Sequence, residues 1–265
     1  MEIKSTPGKI KIAYTETGKG DTTILLLPGW CANRTVFDPI IPFLSKQHHV
    51  LSIDWRGHGE SAKPVSDFGI NELVDDALAV INDSEAKTII PVPLAHAGWV
   101  AIKLKEKLGN RIPKIVLLEW IVFDAPPPFL TSLSAMQQPD QLKPTLDFLF
   151  AKWINNVSNS KLTHFVMDEM GSYQFDMWNR AGREISNAYN TYGNPLKAIS
   201  NLREHPEVLH LYGQPDDPAY LQAQEKFIQS NSWFKVQKLD TKSHFPMFEK
   251  PALVGNSILS FASSG

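Results

Sequence analysis

The chain has 265 residues, 43% of them hydrophobic, which is enough to bury one substantial core but leaves little room for a large second domain. Its 26 basic and 28 acidic residues give a net charge of -2 without a basic run, so nucleic acid is not an expected partner. No apolar run approaches the roughly 18 residues of a membrane span, and the amino terminus does not resemble a signal peptide. We therefore expect a cytoplasmic protein without a membrane partner.

The first half of the chain alternates short apolar runs with longer amphipathic segments. Helical spacing of apolar residues predicts helices at residues 70–83 and 98–109. Four apolar, β-rich runs predict strands at residues 23–28, 49–55, 87–94 and 114–120. This alternation is typical of a doubly wound α/β core, a mostly parallel sheet with helices on both faces.

Three successive prolines, residues 126–128, interrupt the alternation because proline neither continues a helix nor donates to a ladder. The residues that follow are rich in large aromatic side chains with helical spacing. We predict a helical cap at residues 129–195, inserted in a core formed by residues 1–128 and 196–265. Some cap aromatics are expected to line an apolar pocket above the carboxyl ends of the strands, where open α/β sheets bind ligands.

Three loops at the carboxyl ends of strands carry residues suited to chemistry. In LPGWCAN, Gly29 is expected to allow a sharp turn that aims the amide of Trp30 into the cleft. In LAHAGW, the amide of His96 opens the next helix, and two converging amides form an oxyanion hole. The later strands end near Tyr212 and Leu239, and the loop SHFP after the last strand offers His244 as a general base.

The stretch VPLAHAGWV lies where an α/β-hydrolase carries its nucleophile elbow, but the nucleophile position holds Ala95. Alanine cannot attack a carbonyl or carry an acyl group, so ordinary serine hydrolysis is excluded. The sequence leaves open whether this alanine is natural or replaces a serine. Cys31, the single cysteine, lies in the oxyanion loop and is expected to be a small buried residue. Leu94 and Ala97 flank the elbow with apolar side chains, which favours an apolar substrate with a long chain.

A histidine base needs a carboxylate that fixes its tautomer, and two residues are candidates. Asp216 in YGQPDDP follows a strand and a glycine, at the spacing usual for the acid of a hydrolase. Glu119 ends the strand before the cap, and the sequence alone does not decide between the two. The remaining histidines lack paired ligand spacing, so no metal is expected. Because no G-x-G-x-x-G loop follows the first strand, no dinucleotide cofactor is expected either.

Several motifs together resemble one family over nearly the whole chain: LLLPGWCAN, DWRGHGES, AHAGWV, EWIVFDAPPPF, DEMGSYQFDMWNRAGREISNAY and KSHFP. They are similar to the cofactor-independent 2,4-dioxygenases of 3-hydroxy-4(1H)-quinolones, which have the α/β-hydrolase fold. DWRGHGES marks only the superfamily, whereas PGWC with the aromatic cap segment is much more specific. The resemblance implies that O2 opens the heterocyclic ring and carbon monoxide leaves, with neither metal nor flavin.

The resemblance also implies roles for individual residues. His244 takes the proton of the substrate's 3-hydroxyl group, and Glu119, where the family usually has Asp, is its partner. Ala95 stands where members tend to have Ser, and Trp153 matches a cap tryptophan that lines the pocket. No side chain at position 95 is required, because the substrate anion itself reacts with oxygen. We therefore predict a 2-alkyl-3-hydroxy-4(1H)-quinolone as substrate, with an N-acylanthranilate and carbon monoxide as products.

Two alternatives from other classes remain open at this point. One is a serine hydrolase whose nucleophile has been replaced by Ala95. The other is a non-catalytic receptor that binds a small apolar ligand in an inherited enzyme pocket. A base and an acid around a missing nucleophile favour proton abstraction over both alternatives.

Overall fold

In the part of the chain that the structure describes, eight strands form a mostly parallel sheet made of a five-stranded and a three-stranded half. The computed structural model describes residues 2–63 and 65–264, so the predicted outer limits of the core at residues 1 and 265 lie outside it. The strand order is β1-β2-β4-β3-β5 followed by β6-β7-β8, and only β1 and β2 run antiparallel to their neighbours. The strands are β1 (Ile3–Ser5), β2 (Ala13–Thr17), β3 (Thr22–Leu27), β4 (His49–Ile53), β5 (Thr88–Pro93), β6 (Lys114–Leu118), β7 (Glu207–Tyr212) and β8 (Phe234–Lys238).

Strands β5 and β6 are joined by one bridge instead of a regular hydrogen-bonded ladder, and two prolines in β5 explain this. The amide of Leu94 donates to Leu27 on the β3 side, at 2.9 Å. Because alternate residues of a strand face opposite neighbours, Pro91 and Pro93 face β6, and neither has an amide hydrogen to donate. The two halves of the sheet meet instead through one parallel bridge between Leu94 and Leu118.

Helices cover the sheet, which confirms the predicted α/β fold class. The predicted helix at residues 70–83 is α2, and the next predicted helix ends one residue earlier than expected. The amphipathic helices α2 and α3 pack against each other, and α1 packs against α11. The helices of the core are α1 (Ile41–Leu44), α2 (Ile70–Asp83), α3 (Gly98–Leu108), α8 (Pro195–Ser200), α9 (Pro218–Ile228), α10 (Pro246–Glu249) and α11 (Pro251–Ser263).

A group of helices, which we call the cap, lies in the chain between β6 and α8. The proline run starts the first of them, since proline fits the first turn of a helix, where the amide would lack a partner. Within residues 2–63 and 65–264, no helix is both long and apolar enough to cross a membrane. The cap contains α4 (Pro127–Ala135), α5 (Pro139–Ile154), α6 (Ser160–His164), a π-helical turn (Phe165–Glu169) and α7 (Phe175–Tyr192).

Gly98, the first residue of α3, allows that helix to approach the loop after β6. A Cβ built on Gly98 would overlap the indole ring of Trp120, which is 2% exposed and stacks edge-to-face on Trp99. Neither ring has room to move in a close-packed core. The glycine therefore sets the distance between the elbow helix and the segment that carries Glu119.

We expect Gly98→Ala to lower the free energy of unfolding by about 2 kcal/mol, because overpacking outweighs the better helix propensity of alanine. Urea denaturation followed by circular dichroism measures this change. Gly171→Ala is the matched control, since its added Cβ would make only ordinary contacts, with Phe150 Cε2 at 3.6 Å and the Val166 carbonyl oxygen at 3.9 Å. That variant should stay within about 0.5 kcal/mol of the parent protein, and equal losses in both would contradict the packing argument.

Candidate active site

The elbow position lies at the carboxyl end of β5, in a short helical turn, Ala95–Ala97, that leads into α3. Ala95 has a φ of 49°, in the left-handed region that residues with a side chain rarely occupy. Leu94 fixes this turn through its hydrogen bond to Leu27 and its bridge to Leu118. The strained backbone of a nucleophile elbow is therefore present, while its tip carries only a methyl group.

His244 lies in the loop between β8 and α10, as predicted. Its amide donates to the carbonyl oxygen of Trp153 in α5 at 2.8 Å. Its ring stacks on the Trp153 indole, with the ring centroids 5.6 Å apart and the planes at 21°. The cap therefore holds both the backbone and the ring of the candidate base, whose side chain keeps 18% of its surface accessible.

Glu119 follows β6 directly and is 3% exposed, with a φ of 49° that turns the chain away from the sheet. The amide of Gly213 donates to Oε1 of this carboxyl group, and the amide of Gln214 donates to Oε2 at 3.1 Å. Oε2 lies 3.8 Å from His244 Nδ1, within ion-pair range but longer than a hydrogen bond. The structure thus brings the predicted base and acid together.

Asp216 lies outside this arrangement. Its side chain is 92% exposed and pairs with Lys238 Nζ at 3.1 Å. The loop after β7 instead supplies main-chain donors, the amides of Gly213 and Gln214, to Glu119. The geometry therefore contradicts the reserve role predicted for Asp216, because a strand-and-glycine spacing fixes the loop but not which of its groups faces inward.

Burial keeps both members of the pair close to neutral. Burial, and to a smaller extent the charge of Lys152, lowers the pKa of His244 to about 4. Burial raises the pKa of Glu119 to about 8, although the two amides that bind its oxygens favour the carboxylate and oppose this shift. At neutral pH the imidazole is unprotonated, which is the form that a general base requires.

The oxyanion loop follows β3. Within the described residues, neither the Trp30 nor the His96 amide donates a hydrogen bond, so both are available to a ligand. The sharp turn occurs at Cys31, with a φ of 55°, rather than at Gly29 as expected. A Cβ on Gly29 would make only an ordinary contact, 3.5 Å from the Leu94 carbonyl oxygen.

His58 holds this loop, a role that the sequence analysis missed. Its Nδ1 donates to the Arg56 carbonyl oxygen at 3.0 Å, so its unprotonated Nε2 accepts the Cys31 amide at 3.1 Å. Burial lowers its pKa to about 4, which keeps that acceptor free. Trp55 donates to the Pro28 carbonyl oxygen at 2.7 Å. The motif DWRGHGES therefore supports the amide next to Trp30.

The ring of His96 is also oriented. Trp120 Nε1, which can only donate, lies 3.2 Å from His96 Nδ1, so the ring proton is on Nε2. Burial, together with the nearby His244, lowers the pKa of His96 to about 3. Phe129 stacks on this ring at 5.2 Å and 17°. His96 is thus a neutral donor whose side chain is half-buried beside the elbow.

Aromatic side chains of the cap form a cluster that meets the candidate base through Trp153. Trp153 is half-buried and stacks on Trp178, with ring centroids 6.5 Å apart, while Phe150 contacts both indoles. Leu94 and Ala97, in contrast, are 1% and 3% exposed. They belong to the core and do not line a cleft, so they give no information on the chain length of a substrate.

Cys31 does not supply a replacement nucleophile. Its thiol is fully buried, and burial raises its pKa well above the ordinary value, which disfavours the reactive thiolate. The side-chain chemistry of the site therefore comes from His244, Glu119 and His96.

Comparison with known proteins places these observations in a family. The alpha/beta hydrolase family matches residues 24–255. A 2-heptyl-3-hydroxy-4(1H)-quinolone dioxygenase of Mycobacteroides abscessus is 31% identical over 256 residues, which are 96% of this chain and 95% of that protein. The 1H-3-hydroxy-4-oxoquinoline 2,4-dioxygenase of Pseudomonas putida is 32% identical over 252 residues, or 94% and 95% of the two chains.

Solved structures agree with the sequence comparison. AqdC, which recognises and cleaves the ring of the Pseudomonas quinolone signal, has been solved in complex with its product. It superposes on this chain with a TM-score of 0.93 at 29% identity, and the match covers 100% of both chains. The chain therefore belongs to the alpha/beta hydrolase family and, within it, to the 3-hydroxy-4-quinolone dioxygenases.

Proposed function

We propose that this protein is a cofactor-independent dioxygenase that opens the heterocyclic ring of a 2-alkyl-3-hydroxy-4(1H)-quinolone. The products are an N-acylanthranilate and carbon monoxide. One observation carries the proposal: a neutral base, His244, lies beside a buried acid, Glu119, at an elbow that has no nucleophile. The family to which the chain belongs supports the same reaction.

The first step is proton transfer from the 3-hydroxyl group to His244. When Glu119 is ionised, its carboxylate, 3.8 Å from Nδ1, stabilises the imidazolium that forms. The substrate anion is electron-rich and reacts directly with O2, so the reducing electrons come from the substrate. No protein side chain is consumed, and an alanine at position 95 is compatible with turnover.

Ring cleavage then depends on charge stabilisation. The peroxide formed on the substrate attacks the ring carbonyl, and negative charge develops on the carbonyl oxygen. The amides of Trp30 and His96 are the donors for this charge, and the Nε2 proton of His96 is a third donor nearby. The carbon that bore the hydroxyl leaves with its oxygen as carbon monoxide, and the two atoms of O2 remain in the product.

The aromatic cap supports a planar, apolar substrate. Phe129 stacks on His96, and Trp153 stacks on His244, so each imidazole is held in plane by an aromatic neighbour. The relative from Mycobacteroides abscessus is named for a heptyl substrate. A series of 2-alkyl quinolones from methyl to nonyl, compared by kcat/KM, measures the chain length that this cap accepts.

His244→Ala should lower kcat by about 10²–10⁴-fold, the usual contribution of a general base. Oxygen uptake by metal-stripped protein, with carbon monoxide trapped in parallel, measures the loss. The parent protein should release one molecule of carbon monoxide for each molecule of O2 that it consumes. Tight quinolone binding without oxygen uptake in the parent protein would instead favour the receptor alternative.

Ala95→Ser should leave quinolone turnover within about tenfold of the parent, because one neutral hydrogen bond contributes roughly 0.5–1.5 kcal/mol. Steady-state rates of oxygen uptake by the parent protein and by Ala95→Ser measure the difference in turnover. Labelling by a serine-reactive phosphonate and turnover of simple esters are measured on the same samples. Ester hydrolysis gained by the variant, with no oxygen uptake by either protein, would favour the hydrolase alternative.

The pH dependence of kcat/KM should report the ionisation of Glu119. Stabilisation of the imidazolium requires ionised Glu119, whose pKa burial raises to about 8, so kcat/KM should rise with pH across that value. Below it a lower plateau should persist, since the pKa of His244 is lowered to about 4 and the base stays unprotonated. The two plateaus should differ at least about fivefold, because charges about 4 Å apart interact by roughly 1–4 kcal/mol.

Glu119→Gln is the control for this profile, measured between about pH 5 and pH 10 by initial rates of oxygen uptake. The variant should remain on the lower plateau without a step near pH 8. Ionisation of the substrate's own hydroxyl group would persist in the variant. A step that survives in Glu119→Gln would therefore assign the titration to the substrate and not to the carboxyl group.

A further inference from the structure

The cap reaches the oxyanion loop at two points, at Trp30 through the intervening Phe68 and directly at Asn33. Between these two contacts lies a surface cavity of about 490 Å³, lined in part by Asn33, Gly59, Glu169, Tyr173 and Arg180. The cavity follows the seam between cap and core. The residues along this seam have no part in the proton transfer described above, so their interactions need a separate explanation.

The first contact is a stack of three side chains. Arg180 of α7 lies over the ring of Phe68, with its guanidinium carbon 4.3 Å from the ring centroid. Phe68 stacks in turn on Trp30, with ring centroids 5.7 Å apart and planes only 10° from parallel. All three are largely buried, at 13% exposure for the Arg180 side chain and 3% and 8% for Phe68 and Trp30. A cap arginine is thereby connected to the residue whose amide forms the oxyanion hole.

The second contact lies at Asn33, the last residue of the loop. Glu169, at the end of the π-helical turn, accepts hydrogen bonds from Asn33 Nδ2 at 2.7 Å and from Thr35 Oγ1 at 3.1 Å. Asn33 also caps the helical turn at Arg34–Phe37 that follows the loop. A π-turn is an uncommon structure that is frequently found at functional sites.

We propose that Arg180 and Glu169 are positioning residues that hold the oxyanion loop from the cap, so that the Trp30 amide faces the developing oxyanion. This inference rests on the proposed function, because it assigns the seam a role in the same reaction. Arg180 acts through Phe68, and Glu169 acts through Asn33. Neither touches the reacting atoms.

Arg180 also has a simpler possible role, which is to anchor the segment that contains Asp67 and Phe68 through an ion pair with Asp67. Its Nε donates to Asp67 Oδ1 at 2.8 Å. Arg183 makes a comparable bond from Nη2 to the same oxygen at 3.0 Å, but only Arg180 lies over the Phe68 ring. Arg183→Met is therefore the control: it removes ion pairs to Asp67 and Glu184 and a long hydrogen bond, 3.5 Å, to the Phe68 carbonyl oxygen, but leaves the ring stack in place.

Arg180→Met should lower kcat for quinolone turnover about tenfold to a hundredfold, with KM within about threefold, because small misplacements of a transition-state donor are costly. Arg183→Met should leave both constants within about threefold. Glu169→Ala should lower kcat in the same way, and Glu169→Gln should restore it, since the amide oxygen can still accept from Asn33 and Thr35. Phe68→Leu tests the stack a second time if Arg180→Met does not fold.

Hydrogen exchange tests the positioning without reference to activity. The amides of Cys31, Ala32 and Arg34 are bound to His58, Gly29 and Asp54 and report the order of the loop. Their exchange should become faster in Arg180→Met and Glu169→Ala, and should be unchanged in Arg183→Met.

Unchanged loop exchange in Arg180→Met and Phe68→Leu would overturn the proposal, as would equal losses of kcat in Arg180→Met and Arg183→Met. Absence of oxygen uptake by the parent protein would remove the proposed function. The exchange comparison would still decide whether the cap holds the loop.

Discussion

The parallel bridge between Leu94 and Leu118 sets the spacing on which the site depends. Each of these leucines is followed by a residue with a φ of 49°, Ala95 after one and Glu119 after the other. A left-handed conformation costs a residue with a side chain roughly 1–2 kcal/mol. Both left-handed turns are held in place because β5 and β6 are buried, and because β5 is also hydrogen-bonded to β3 and β6 to β7. The elbow and the acid therefore leave the sheet side by side.

The site carries little charge before the reaction, which suits a reaction that creates charge during turnover. Glu119 is buried and His244 is partly buried, and burial disfavours the charged form of each. Below about pH 8, charge enters only when the substrate loses its proton, and the cation and anion then appear together within the same cleft. A low-dielectric environment strengthens their attraction. A nucleophilic serine would add nothing to this step, which explains how the elbow can retain its backbone and lose its side chain.

Much of the core could be predicted because its elements are long and periodic. Helix α2 begins and ends where the apolar spacing predicted. Strands β1 and β2 were not predicted, since all three residues of β1 are exposed and the five residues of β2 show no alternation of buried and exposed positions. Periodicity detects a repeating pattern of burial, and neither short strand has one.

The site was predictable in its residue types but less so in its contacts. His244 was expected in the loop after the last strand, and it lies there. The sequence could not decide between Asp216 and Glu119, because that choice depends on which carboxyl group two backbone amides enclose. The support of Cys31 by His58 was equally hidden, since the two residues are 27 positions apart and meet only after folding.

Core and cap contribute to both chemical halves of the site. His244 belongs to a core loop, but its amide and its ring are held by Trp153 of the cap. The oxyanion loop is held from the core by His58 and touched from the cap through Phe68. A movement of the cap that breaks these contacts would disturb the base and the oxyanion donors at the same time. In the proposed mechanism, proton abstraction and charge stabilisation therefore both depend on these contacts with the cap.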